Sequence, residues 1–182
     1  MCGIIGISSN KSVSANIINS LKKLEYRGYD SAGIATLSDG FINEVKSEGR
    51  VENLEKNFDL KILSGNIGIG HVRWATHGVP NSINAHPHSS KNVSVVHNGI
   101  IENSNLLKKN LEKEGFKFKS QTDTEVITLL ITKYLKNSNP IDAVFKTLEY
   151  LEGSFALGIL FKDQSDMIIG ARRGSPLAVG YS

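Results

Sequence analysis

The chain has 182 residues, 40% of them hydrophobic, and a formal net charge of +3. That length supports one core and one domain, and the mild charge, with Lys and Arg scattered, leaves no electrostatic footprint for nucleic acid or an anionic membrane. One cysteine excludes an internal disulfide and fits a reducing, cytoplasmic setting. The first residues lack a signal peptide's basic start, and no stretch approaches the roughly 18 apolar residues of a membrane span.

In chain order, residues 3–7 form the first strand candidate. Ile17, Ile18, Leu21 and Leu24 share one face of a helix entered near Ser12 or Ser14. Residues 32–37 predict a second strand, and the period-two stretches 66–73 and 93–97 predict two more. Leu106, Leu107 and Leu111 mark a helix ended by Gly115. Thr122 to Glu125 has the spacing of a capping box, opening a helix with Val126, Ile127, Leu130 and Leu135. Asn139-Pro140 reads as an N-cap with Pro at the first helical position; that helix carries Val144, Phe145, Leu148 and Leu151. Residues 155–161, 167–171 and 177–180 close the strand set. Strands bracket a helix-rich middle, which predicts α+β layers rather than an alternating parallel sheet.

Cys2 stands directly behind Met1. Removal of Met1 would leave a thiol, ordinarily near pKa 8.5, and an α-amine, near 7.7 to 8.0, on one residue. Nucleophile and base would then coincide. The alternative is a small apolar residue opening a strand. Arg73, at the end of a strand and before a glycine-containing loop, can present a two-pronged donor to a carboxylate, or sit in a surface ion pair. Asn98-Gly99 is either a turn or a pair of N–H donors aimed at one developing oxyanion. Asp123 either favours its helix's first turn or offers a counter-charge to an ammonium. Arg27 and Asp30 lie in a dense polar-aromatic link and are expected to pair with each other. The five His, all within residues 71–97, follow no zinc spacing, so no metal is expected and they are assigned to backbone capping. Taken together, a thiolate, an oxyanion site, a cation and an anion suit a free amino acid with a carboxamide. Glutamine or asparagine would be cleaved through a thioester, releasing ammonia.

The stretches MCGIIGI, LEYRGYDSAGIA, GHVRWATHG, NAHPH, VVHNGIIEN, QTDTEV and GSPLAVG occur in this order along essentially the whole chain. In them the chain resembles the N-terminal glutaminase domains of the glucosamine-6-phosphate synthase (glutamine–fructose-6-phosphate aminotransferase, isomerizing) family, within the class II glutamine amidotransferases. The EYRGYDSAG spelling sets it apart from amidophosphoribosyltransferases, whose first motif usually reads HRGQDSAG. The resemblance implies a four-layer αββα sandwich of the N-terminal-nucleophile hydrolase type, here without some C-terminal strands. It implies no cofactor. It makes Cys2 the nucleophile, with Asn98 and Gly99 as the oxyanion hole. It gives Arg73 the glutamine α-carboxylate and Asp123 the α-amino group. Thr76 and His77 would line a loop over the substrate, Trp74 the exit for ammonia, and His86 the pocket, while Arg27 would brace the first strand from behind. A sugar-phosphate isomerase half binding fructose 6-phosphate would follow in the longer protein, for which a homodimer is an open expectation. The reading of residues 1–182 is one glutaminase domain, short at its C-terminus, able to hydrolyse glutamine but not to make the amino sugar. The alternatives are a glutamine-binding domain without turnover, or the glutaminase domain of another amidotransferase such as an amidophosphoribosyltransferase.

Overall fold

The computed structural model describes residues 2–75 and 78–181. Chain order runs β1 (Gly3–Ser8), α1 (Ser14–Leu24), β2 (Ser31–Ser38), β3 (Phe41–Glu48), α2 (Glu52–Asn57), β4 (Ile67–Arg73), β5 (His88–Ser89), β6 (Val93–Ile101), α3 (Ser104–Lys113), α4 (Thr124–Tyr134), α5 (Pro140–Tyr150), β7 (Gly153–Phe161) and β8 (Ile168–Arg173). Two four-stranded sheets result, ordered β1-β4-β2-β3 and β5-β6-β7-β8. All their ladders are antiparallel.

Strand alternation divides the apolar side chains among three cores. On β4, Ile67 and Ile69 join Ala35, Leu37, Val96 and Leu160 between the two sheets. Val72, further along β4 and of opposite parity, joins Ile34, Ile17 and Leu21 under α1. On the other sheet, Val93, Val95, Leu157 and Ile159 pack with Leu107, Ile127 and Val144 of the three later helices. Three buried interfaces require four layers, so the αββα sandwich is present. Gly70 lets α1 lie close on β4, since a Cβ there would sit 2.6 Å from Ile17 Cγ2.

Several local expectations hold. Asn139 Oδ1 accepts the Asp142 N–H at 2.9 Å, with Pro140 opening α5. Gly115, at φ +89, follows the end of α3. Others are corrected. β3 has no counterpart among the sequence-based expectations; it joins β2 in a hairpin whose two-residue turn is Asp39-Gly40, at φ 52 and 78. Residues 177–180 form no strand; the chain turns at Gly174, φ +74, and Leu177 lies against Gly170 of β8 without pairing with it. The capping box does not form: Asp123 is the N-cap of α4 without a side-chain cap bond. Glu125 instead accepts from the Lys119 and Ser120 N–H groups, and the Thr122 hydroxyl meets His88. Leu106 and Phe145 face solvent, since α3 and α5 bury only the narrow stripes Leu107–Leu111 and Ala143–Val144–Thr147.

Candidate active site

Cys2 enters the site by parity. On β1, Ile4 faces the core between the sheets while Ile5 and Ile7 face α1. The same alternation turns Cys2 to the inner side. Gly3 pairs with Val72, so Cys2 and Arg73 come next on neighbouring strands.

Two contacts hold the sulfur at the end of β4. The Trp74 N–H donates to Cys2 Sγ at 3.4 Å, and Sγ lies 3.6 Å from the Trp74 carbonyl oxygen. Burial pushes the thiol's pKa up, and the Trp74 N–H and the Arg73 charge oppose that. The sulfur is therefore mostly protonated at neutral pH and needs a base. Behind it, Arg27 Nε donates to the Cys2 carbonyl at 2.9 Å. Asp30 Oδ2 accepts the Ala75 N–H at 2.6 Å, and the Asp30 N–H donates to the Arg73 carbonyl. The expected Arg27–Asp30 pair is thus replaced. Each residue grips a different strand end, because those ends offer backbone groups the sheets leave unmet.

Asn98 stands on the inner side of β6, in step with Val96. Its Oδ1 accepts the Cys2 N–H at 3.2 Å. That bond identifies the oxygen end of the amide and leaves Nδ2 as a donor. Gly99 has φ +146, and a Cβ there would sit 2.0 Å from the Ser154 carbonyl oxygen, so no other residue fits.

Arg73 is 3% exposed. Its Nη1 donates to the Val79 carbonyl at 3.4 Å and its Nη2 to the Gly78 carbonyl at 3.3 Å. Burial draws its pKa below the usual arginine value, while Cys2, Asp30 and Asp123 pull the other way. Asn84 Nδ2 also holds the Val79 carbonyl, at 3.0 Å, and the Asn84 Oδ1 accepts the Gln121 N–H. Asp123 is buried just ahead of α4, and its Oδ2 accepts the Ile101 N–H at 2.8 Å.

Among the described residues, four buried histidines back the site. His71 and His86 stack with ring centres 4.0 Å apart. The His97 N–H donates to His86 Nδ1 at 3.3 Å. The Thr124 hydroxyl lies 3.3 Å from His86 Nε2 and 2.9 Å from His97 Nδ1. Burial lowers the pKa of His71 to about 3 and holds His86 and His88 well below the usual range, so these rings are neutral. Among the described residues, no group of His, Cys, Asp and Glu is placed to hold a metal.

A small cavity, about 20 Å³, is lined by Cys2, Arg73, Trp74, His86, His97, Gly99, Thr122, Asp123 and Thr124. It has room for about one water. The structure thus brings Cys2, Arg73, Trp74, His86, Gly99 and Asp123 to one place, with Asn98 bonded to Cys2 and Arg27 behind it. Thr76 and His77 lie outside the described residues, as does Met1. Sequence reasoning missed Asp30, His97, Thr122 and Thr124 as parts of the site. Their only signal was adjacency, within YDSAG, HNG and QTDTEV, to residues that were singled out.

The glutamine amidotransferase domain family matches residues 71–180. The chain is 53% identical over 182 residues to the glutamine–fructose-6-phosphate aminotransferase (isomerizing) of Mesorhizobium japonicum. It is 53% identical over 184 residues to that of Clostridium acetobutylicum. Both matches cover all of this chain but 30% of the relative, so the chain spans under a third of the relatives' length. Among solved structures, glutamine phosphoribosylpyrophosphate amidotransferase from B. subtilis superposes with a TM-score of 0.81 at 28% identity, over 94% of this chain and 37% of that one. A structure described as the allosteric regulatory enzyme of purine biosynthesis gives 0.79 at 28% identity, over 88% and 35%. No helix among the described residues is long and apolar enough to cross a membrane. On the family match over more than half its residues, and on the inward Cys2 and the two-sheet sandwich that agree with it, the chain belongs to the glutamine amidotransferase domain family.

Proposed function

We propose that residues 1–182 form a glutaminase domain that hydrolyses L-glutamine to glutamate and ammonia with Cys2 as nucleophile. The observation that carries this reading is the shared cavity of Cys2, Gly99, Arg73 and Asp123, with the Cys2 N–H on Asn98 Oδ1. Once Met1 is removed, the Cys2 α-amine takes the thiol proton and the sulfur attacks the carboxamide carbon. The charge on the carbonyl oxygen is met by Asn98 Nδ2 and the Gly99 N–H. The C–N bond breaks, ammonia leaves with the proton, and water hydrolyses the thioester to glutamate and the thiol. Arg73 exchanges its bonds to the Gly78 and Val79 carbonyls for the substrate carboxylate, which also opens a cavity now too small for an amino acid. Asp123 takes the ammonium. In this reading ammonia departs past Trp74, which is 44% exposed at the cavity rim; Thr76 and His77 are assigned to substrate binding, His86 to the pocket lining, and Arg27 to bracing Cys2 from behind.

In the longer protein suggested by the relatives, the ammonia would go to an isomerase domain that aminates fructose 6-phosphate, in a homodimer and in the cytoplasm. The relatives' name, glutamine–fructose-6-phosphate aminotransferase, supports the acceptor. Purine-type acceptors are the weaker reading, since the match to the solved amidotransferase is 28% against 53%. Cys2→Ala is expected to lower ammonia release from glutamine by more than about 1,000-fold while the circular dichroism spectrum is retained. Intact mass should show Met1 absent in the active protein. Activity surviving in Cys2→Ala sinks the proposal.

A further inference from the structure

The backbone edge that carries Gly99 is bonded on both sides of it. β6 pairs with the two-residue β5 only at Ser94 and Val95, so beyond that point one edge of β6 has no strand partner. N–H groups along a strand point to alternate edges. Those of His97, Gly99 and Ile101 therefore share the open edge. The first is capped by His86 Nδ1 at 3.3 Å and the third by Asp123 Oδ2 at 2.8 Å. The middle one, Gly99, opens onto the cavity beside Cys2.

We propose that His86 is a positioning residue for the oxyanion site: it holds the His97 N–H so that Gly99 alone on this edge is left to bond the reacting oxygen. The inference rests on the glutaminase reading above and deepens it. His86 suits the task because its ring is 5% exposed, fixed by stacking on His71 and anchored at Nε2 by the Thr124 hydroxyl. The His97 N–H can only donate, so Nδ1 of His86 must carry a lone pair. That makes Nε2 the protonated nitrogen and Thr124 its acceptor. A neutral ring is what burial among other imidazoles enforces. Asp123 then has two jobs, accepting the Ile101 N–H through Oδ2 and lining the cavity. Without the two caps, the edge is free to twist, and an oxyanion donor out of line by even 1 Å loses most of its effect.

The test uses the intact protein with glutamine and iodoacetamide as probes. Iodoacetamide alkylates a thiolate at a saturated carbon, and no oxyanion forms on its carbonyl, so its rate reports the thiol alone. His86→Phe keeps a flat ring against His71 but lacks Nδ1. We expect kcat for glutamine to fall on the order of 100-fold, with KM and the alkylation rate changed less than about threefold. His86→Asn returns an acceptor near Nδ1 and should recover at least about tenfold of the lost kcat. Equal losses in hydrolysis and alkylation, an unchanged kcat in His86→Phe, or no recovery in His86→Asn overturns the proposal. If circular dichroism shows His86→Phe unfolded, Thr124→Val removes the anchor of Nε2 and is expected to give the same split; an unchanged kcat there is equally fatal. Failure of the glutaminase reading is distinct, since the parent protein then releases no ammonia. In that event amide hydrogen exchange decides: Gly99 should exchange quickly and His97 slowly in the parent, and a protected Gly99 amide overturns the positioning role.

Discussion

Asn98 Oδ1 accepts the Cys2 N–H at 3.2 Å, joining the start of β1 in one sheet to β6 in the other. One amide side chain thus fixes the amine end of Cys2 and, in the proposed reaction, would serve the reacting oxygen through Nδ2. Asn98→Asp keeps the acceptor and removes the donor. We expect kcat to fall by about 100- to 1,000-fold with the fold intact, as for loss of one oxyanion donor. Steady-state ammonia release measures it, and a kcat within about threefold of the parent would assign the oxyanion elsewhere.

Arg73→Lys replaces a planar fork by a point charge. The lysine cannot span both the Gly78 and Val79 carbonyls, nor grip a carboxylate with two parallel bonds. KM for glutamine should rise at least about tenfold, roughly 1.4 kcal/mol, with a smaller change in kcat. Titration calorimetry on a Cys2→Ala background reads the same loss without turnover.

Asp123→Asn separates the residue's two roles. The asparagine oxygen still accepts the Ile101 N–H, so stability should hold, while the ammonium loses its counter-charge and KM rises at least about tenfold. Asp123→Ala also strands that buried N–H, at a cost of about 1–3 kcal/mol in urea unfolding. Identical stabilities for the two variants would mean that the Ile101 bond contributes nothing.

The buried imidazoles make the domain acid-sensitive. In the unfolded chain they titrate near 6.5, whereas His71 in the folded chain titrates near 3 and His86 and His88 well below 6.5. Across that window the unfolded state binds protons the native state refuses, so stability rises with pH. Their contribution is complete above about pH 6.5 and lost as pH falls, at up to about 1.4 kcal/mol per pH unit for each ring. Urea midpoints between pH 7.5 and 5 should drop. His88→Gln, which keeps an amide for the Thr122 hydroxyl, should flatten the slope by about one proton. A midpoint that stays level down to pH 5 contradicts the buried, neutral rings.

The strand-rich ends and helical middle were legible in the sequence because their apolar residues are grouped or periodic. The stretch 66–73 alternates with period two, residues 3–7 form a short apolar run ended by polar Ser8, and the helix of Ile17, Ile18 and Leu21 has a single apolar face. β3 was not legible: Phe41, Asn43 and Glu44 give no clean alternation for an edge strand open to solvent, and only its Asp-Gly turn betrays it. The capping box failed because Glu125 found closer backbone donors at Lys119 and Ser120 than at its own helix start. Local spacing cannot know which loop the fold will bring alongside.

By itself the sequence determined the chemistry on offer: one thiol behind the first residue, and the motifs holding Arg73, Asn98, Gly99 and Asp123. Those are properties of residue type and order, which the chain carries before it folds. Only the tertiary structure decided that Asn98 holds the Cys2 amide, that Arg27 and Asp30 part company to grip separate strands, and that His86 and Asp123 cap the edge on either side of Gly99. Each of those contacts joins backbone groups to side chains 11 to 96 residues away. Two sheets must stack face to face before such groups meet, and the burial of apolar faces that drives the stacking is blind to which polar atoms it brings together.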